Sequence, residues 1–155
     1  MEIKELASLT EVEEQIKARI KDFNSRRHEL KNYKNSLTIC QAILSSITTV
    51  VIAINAKLML DELAFIAIFI STISSLAGLF LSKFMFHERL TSQINTICSL
   101  RELNATIQIR KKMELDDPNL YQIKLEDVGD YFNQLQIILN VANNDWQKLA
   151  KDKKK

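Results

Sequence analysis

Residues 35–56, NSLTICQAILSSITTVVIAINA, and residues 63–82, LAFIAIFISTISSLAGLFLS, contain no charged side chain. As helices they measure about 30–33 Å, enough to cross a hydrocarbon core of about 30 Å. Residues 57–62 between them suffice only for a tight reversal. The stretch therefore reads as a transmembrane helical hairpin. The competing reading is the buried centre of a soluble bundle. A helix of that kind normally keeps a face marked by Lys and Glu, whereas the polar residues here are Ser, Thr, Gln and Asn. Hydroxyls can bond back to their own helix and tolerate lipid, which charges do not. Neither window contains proline, and Gly78 is of a kind common in membrane helices.

Working outward, the flanks set the expected orientation. Arg26, Arg27, Lys31 and Lys34 precede the first span, against Glu29, and Lys83, His87 and Arg89 follow the second, against Glu88. The turn holds Lys57, Asp61 and Glu62. The basic bias puts both termini in the cytoplasm. Arg26, Arg27, Lys34, Lys83 and Arg89 are the candidates for contact with lipid headgroups. The first apolar run begins near residue 35, behind a charged segment, so the first span is expected to act as its own insertion signal rather than as a cleavable one.

The rest of the chain predicts long helices. Thr10-Glu11-Val12-Glu13 fits a capping box, with Val12, Ile16, Ile20 and Phe23 forming one apolar face behind it. Nothing breaks this helix before the first span. After the second span, Phe84 and Phe86 stand where interfacial aromatics are expected, and Leu90, Ile94, Ile97, Leu100, Leu103 and Ile107 mark a further helix face. Asp116-Asp117-Pro118 predicts a helix start with proline in the first position. Leu125, Val128, Phe132, Leu135, Leu139, Ala142, Trp146 and Leu149 then repeat at intervals of three and four, a heptad seam fit for a partner or a second copy. The expected fold is all-α: an integral membrane hairpin whose long flanking helices form a cytoplasmic bundle. The expected segments are 10–36, 37–57 (span one), 63–82 (span two), 83–116, 118–150 and a basic tail, 151–155, within one unit.

Composition excludes several functions. Twenty-one basic and 19 acidic residues leave a net charge of +2, so direct nucleic-acid binding is not indicated. The mean hydropathy of −0.08 averages apolar spans with charged flanks. Cys40 and Cys98 lack CxxC spacing and read as free thiols. No phosphate loop, HExxH or GxSxG turn occurs, so neither an enzyme nor a metal or cofactor site is expected. His28 and His87 flank the spans and read as solvated. The spans hold no Asp, Glu, Lys or Arg, which argues against a proton relay or voltage sensor.

Two faces inside the spans carry the functional question. Thr38, Gln41, Ser45, Thr48 and Asn55 share a face of the first span. Ala64, Ala67, Ser71, Ser75, Gly78 and Ser82 give the second a face of small residues. Such faces pack helix on helix, or line a water-filled path once several copies assemble. Gln41 and Asn55 are the sharper candidates, because a carboxamide facing lipid forgoes several hydrogen bonds.

With these features placed, the chain resembles the SLATT family of two-transmembrane effector domains associated with SMODS and SLOG proteins. The resemblance covers nearly the whole chain. It rests on Arg26-Arg27 leading into span one, the short turn, ISTISSLAGLF, Leu100-Arg101-Glu102-Leu103 and the final ILNVANNDWQKL. It implies an effector of bacterial anti-phage conflict at the inner membrane, oligomerising to permeabilise it when a separate sensor or nucleotide-second-messenger protein signals. It supplies no catalytic residue. A different class remains open: a membrane-anchored adaptor that recruits a cytosolic partner through its last helix.

Overall fold

The computed structural model describes residues 6–152, with side chains through Lys148. The expected lead-in at residues 1–5, the Leu149 side chain and the last three residues of the basic tail lie outside them. Four helices make up the described chain: α1 (Ala7–Leu58), α2 (Asp61–Lys83), α3 (Phe86–Asp116) and α4 (Leu125–Asp152). The all-α expectation holds, with no strand among the described residues. The first flanking helix and the first span are one helix of 52 residues. Helix α2 is a second element long and apolar enough to cross a membrane. The chain divides into two compact units, Met1–Arg27 with Arg89–Lys155, and His28–Glu88.

In the first unit, the start of α1 packs with α3 and α4 around one core. Leu9, Val12 and Ile16 meet Leu100, Leu103 and Ile107 of α3, with Val128, Tyr131 and Leu135 of α4. Ile16, Leu100, Ile107 and Leu135 have essentially no exposed surface. Their spacing of three and four places each set on one helix face, and burying each such side chain is worth about 1.5–3 kcal/mol.

A buried ion pair ties two of these helices together. Glu13 Oε1 lies 3.2 Å from Lys111 Nζ and accepts a hydrogen bond of 3.2 Å from Gln108 Nε2. Glu13 therefore does not complete the expected capping box. Helix α1 starts four residues earlier than that box required, with the Leu9 and Thr10 amides donating to the Leu6 carbonyl, so Thr10 already sits inside the first turn. Hydrogen bonds to α3 outweighed the local cap because they are made in a protected interior.

Pro118 does not open α4 either. Residues 117–124 form an irregular connection, and α4 begins at Leu125. The Asp117 carboxylate accepts from the Asn119 and Leu120 amides, satisfying a turn rather than a helix start. The chain then swings Ile123 into the core, 5 % exposed, with its amide held by Glu114 Oε1 at 3.1 Å. Asp127, third in α4, reaches back to the Lys124 amide at 2.8 Å and supplies the cap.

Helix α4 turns its buried face slightly away from the expected seam. Val128, Leu135 and Ala142 are buried as their spacing suggests, and Leu139 and Trp146 are half-buried. Tyr131 joins them at 8 % exposure, whereas Leu125 and Phe132 are 69 % and 41 % exposed. On α3, Ile94 likewise faces out while Gln93 is 1 % exposed in its place. Among the described residues Gln93 Oε1 has no hydrogen-bond partner.

Burial raises the Tyr131 phenol above its ordinary value, reinforced by Asp127 and Asp130 and opposed by Arg110. The unfolded phenol ionises near pH 10 and the folded one later. Between those points the unfolded state has lost the proton and the folded state has not, so stability falls as pH rises. Below about pH 10 the contribution is fully present. Thermal melts from pH 8 to 11 are expected to show an alkaline decline that Tyr131→Phe flattens. An identical decline in the variant counts against this assignment.

In the second unit, α1 from residue 28 and α2 form an antiparallel hairpin. The reversal is tighter than six residues: only Met59 and Leu60 lie between the helices. Met59 takes a left-handed backbone, φ 50°, and the Leu60 amide donates to Asn55 Oδ1 at 2.9 Å. After α2, Phe84 and Met85 make a second bend, with Met85 again left-handed at φ 48°. The Phe84 ring lies 5.8 Å from those of Phe80 and Phe86, tilted against the first and stacked on the second.

Candidate functional site

The candidate site is the seam of this hairpin and the groove beside it. On α1 the half-buried residues are Lys34, Leu37, Gln41, Leu44, Thr48, Val51 and Asn55, a strict alternation of three and four. On α2 the buried positions are Ala67 and Ser74, flanked by half-buried Ala64, Ala77 and Gly78. Small residues on α2 thus let the larger side chains of α1 seat against it, the usual solution where lipid offers no hydrophobic drive for packing.

The expected polar face of span one divides in two. Gln41, Thr48 and Asn55, seven apart, lie on the seam, while Thr38 and Ser45 are exposed beside it. Gln41 crosses to α2 at its glycine: a β-carbon on Gly78 would stand 2.7 Å from Gln41 Nε2. Near that crossing the Ser74 hydroxyl donates to the Gln41 carbonyl at 3.4 Å. Thr48 closes on its own helix, donating to the Leu44 carbonyl at 2.9 Å. Asn55 holds the turn. Its carboxamide is thereby engaged in fixing the reversal, an end for which spacing alone gave no signal.

Of the expected small face on α2, Ala64, Ala67 and Gly78 turn toward α1, and Ser71 and Ser75 are exposed. Toward the turn the hairpin holds a groove of about 390 Å³, lined by Thr48, Ile52 and Asn55 with Ala64, Ser71 and Thr72. At 3.6 residues per turn, Thr38, Ser45 and Thr49 fall on the groove side of α1, and Ser71, Ser75 and Ser82 on the groove side of α2. The opposite side carries Cys40, Ile47 and Ile54 with Ile66, Ile73 and Phe80. The hairpin has one polar, uncharged flank and one apolar flank.

The other candidates scatter. Arg26 and Lys83 are exposed, and Arg27 and Lys34 are half-buried. Arg89 is engaged with α4: its guanidinium carbon stands 5.7 Å from the centre of the Trp146 ring. This cation–π contact was not expected of either residue. Cys40 and Cys98 are free thiols. Among the described residues no group of His, Cys, Asp and Glu is arranged to hold a metal ion. In comparison with known proteins, no family model, curated protein or solved structure matches this chain.

Proposed function

We propose that this chain is a membrane effector of the kind its SLATT-like pattern implies. It spans the bacterial inner membrane twice, keeps both termini in the cytoplasm, and assembles in several copies to permeabilise the bilayer when a separate sensor signals infection. The observation that carries this reading is the division of the hairpin's surface. Exposed Ile43, Val50, Phe65 and Phe69 suit lipid, while the opposite flank presents the hydroxyls of Thr38, Ser45, Ser71 and Ser75 with no charge. A passive anchor has no use for such a flank. Dye-reported membrane potential tests the reading: cells producing the chain are expected to depolarise on phage challenge, and Gln41→Leu with Ser45→Leu to weaken the response. Potential that stays unchanged, with the protein confirmed in the membrane, sinks the idea.

A second reading has its own observation. Leu125 and Phe132 leave an apolar strip on α4 exposed, suited to recruiting a cytosolic partner. Under this adaptor reading, replacing both spans by an unrelated apolar hairpin preserves function. Under the effector reading the same exchange abolishes it.

A further inference from the structure

We propose that Met85 is a two-state joint: the chain either bends there, as it does in this structure, or runs on from α2 into α3 as one helix. The Phe84 and Phe86 rings latch the bent state. The inference concerns the backbone at one joint and stands whether or not the hairpin crosses a membrane.

No local breaker ends α2 where it ends. Residues 79–91, LFLSKFMFHERLT, hold no proline, glycine, asparagine or aspartate, and Leu, Lys, Met, Glu and Arg are good helix formers. Phe84 keeps a right-handed backbone, φ −79° and ψ −2°, and its amide donates to the Phe80 carbonyl at 3.0 Å as in a helix. Between the two helices only Met85 takes a positive φ, 48°. A left-handed residue closes many helices, but it is usually glycine or asparagine, because a β-carbon there crowds the next carbonyl. The Met85 amide meets the Ser82 carbonyl at 3.4 Å, longer than the ordinary range of about 2.7–3.2 Å. The break also leaves the first amides of α3 outside its hydrogen-bond ladder, where one continuous helix would include them.

The other left-handed methionine, Met59, is a different case. There Asn55 Oδ1 holds the Leu60 amide, and α2 packs back on α1 through Ser74 and Gly78, so the reversal is fixed.

A ring pair opposes the continuous helix at Met85. Phe84 and Phe86 stack with centroids 5.8 Å apart, and Phe86 is 8 % exposed. Residues two apart in an α-helix point about 200° from each other, so this stack exists only while the joint is bent. The Phe80–Phe84 contact, four residues apart, survives in either state. One backbone change therefore exchanges a ring stack and a strained residue for an unbroken helix. Discrete alternatives of this kind are how a change in one helix is handed to the next.

Pulsed electron spin resonance on the full chain in detergent micelles tests this. In a Cys40→Ser, Cys98→Ser background, nitroxides are attached at Leu76→Cys and Ile94→Cys, both exposed positions. These lie five helical turns apart, so one continuous helix holds them about 27 Å apart on the same side, and any bend brings them closer. With Met85 and Phe86 in place the shorter distance is expected to dominate. Met85→Ile makes the left-handed backbone costlier and Phe86→Ala removes the latch; together they should raise the longer-distance fraction several-fold. Met85→Gly with Phe86→Ala should return the chain to the shorter distance. A longer-distance fraction that is absent throughout, or equal in all three, overturns the joint. Thermal melts give a check that does not depend on the double variants folding. Met85→Gly with Phe86 retained is expected to raise the midpoint by a few degrees, since glycine takes the left-handed backbone without strain. An unchanged or lowered midpoint overturns the strain at Met85 on which the proposal stands.

Discussion

Glu13→Ala is expected to destabilise the three-helix unit by about 3 kcal/mol, the low end for removing one partner of a buried pair. The carboxylate is 6 % exposed and serves both Lys111 Nζ and Gln108 Nε2 at 3.2 Å. Its loss withdraws a buried carboxylate from an ammonium whose side chain is only a quarter exposed. That residual solvent access keeps the figure from the upper range. Replacing both residues, as Glu13→Leu with Lys111→Leu, should recover much of the loss, because an apolar pair of similar bulk needs no counter-charge. A double-mutant cycle on the full chain, followed by helical signal in denaturant, measures the coupling. A coupling energy below about 0.5 kcal/mol would put Glu13 among the exposed pairs and overturn the argument.

The second large effect lies in the hairpin. Gly78→Leu should destabilise the hairpin by about 2–3 kcal/mol, the cost of overpacking a close contact. Its first new carbon would stand 2.7 Å from Gln41 Nε2, where an unstrained contact needs more than 3.4 Å. Gly78→Ala should cost far less, because the atom it meets is the free end of a flexible side chain and can swing aside. Leucine also fills the space into which the carboxamide would swing. Gln41→Ala should then rescue Gly78→Leu in large part, and rescue is the informative result. If thermal melts in detergent show Gly78→Leu unchanged, the helices do not meet at this crossing.

Much of the architecture was legible from charge and period alone. Two windows free of charge defined the hairpin, and apolar residues at three and four marked the packing faces of α1, α3 and α4. What stayed hidden turned on competition between satisfied alternatives. Thr10 and Glu13 satisfy a capping pattern, yet the same carboxylate is worth more inside the bundle against Lys111. Asp117-Pro118 satisfies a helix start, yet a turn there lets Ile123 reach the core. On α4, Leu125 and Phe132 fit the heptad as well as Val128 and Leu135 do. Only the positions of α1 and α3 decide that Tyr131 goes in and Phe132 stays out. In the candidate site, a run of polar residues gave the face but not its divide. Whether a given residue meets the other helix or looks outward depends on a few tens of degrees of rotation, finer than period alone fixes.

The alternation of three and four along α1 carries one more consequence. A seam that returns every seven residues lags an ideal helix by about 20° per heptad, so helices that hold it must wind about each other left-handedly. Gln41, Thr48 and Asn55 then act as marks on a ruler. Adding one residue between Leu37 and Asn55 would turn all that precedes it by about 100° relative to the turn, and adding seven would bring the marks back into line. Length along this seam is therefore inherited in whole heptads. Natural variants of the chain are expected to gain or lose span length seven residues at a time, in the helix-to-helix register that Gln41 sets, rather than singly.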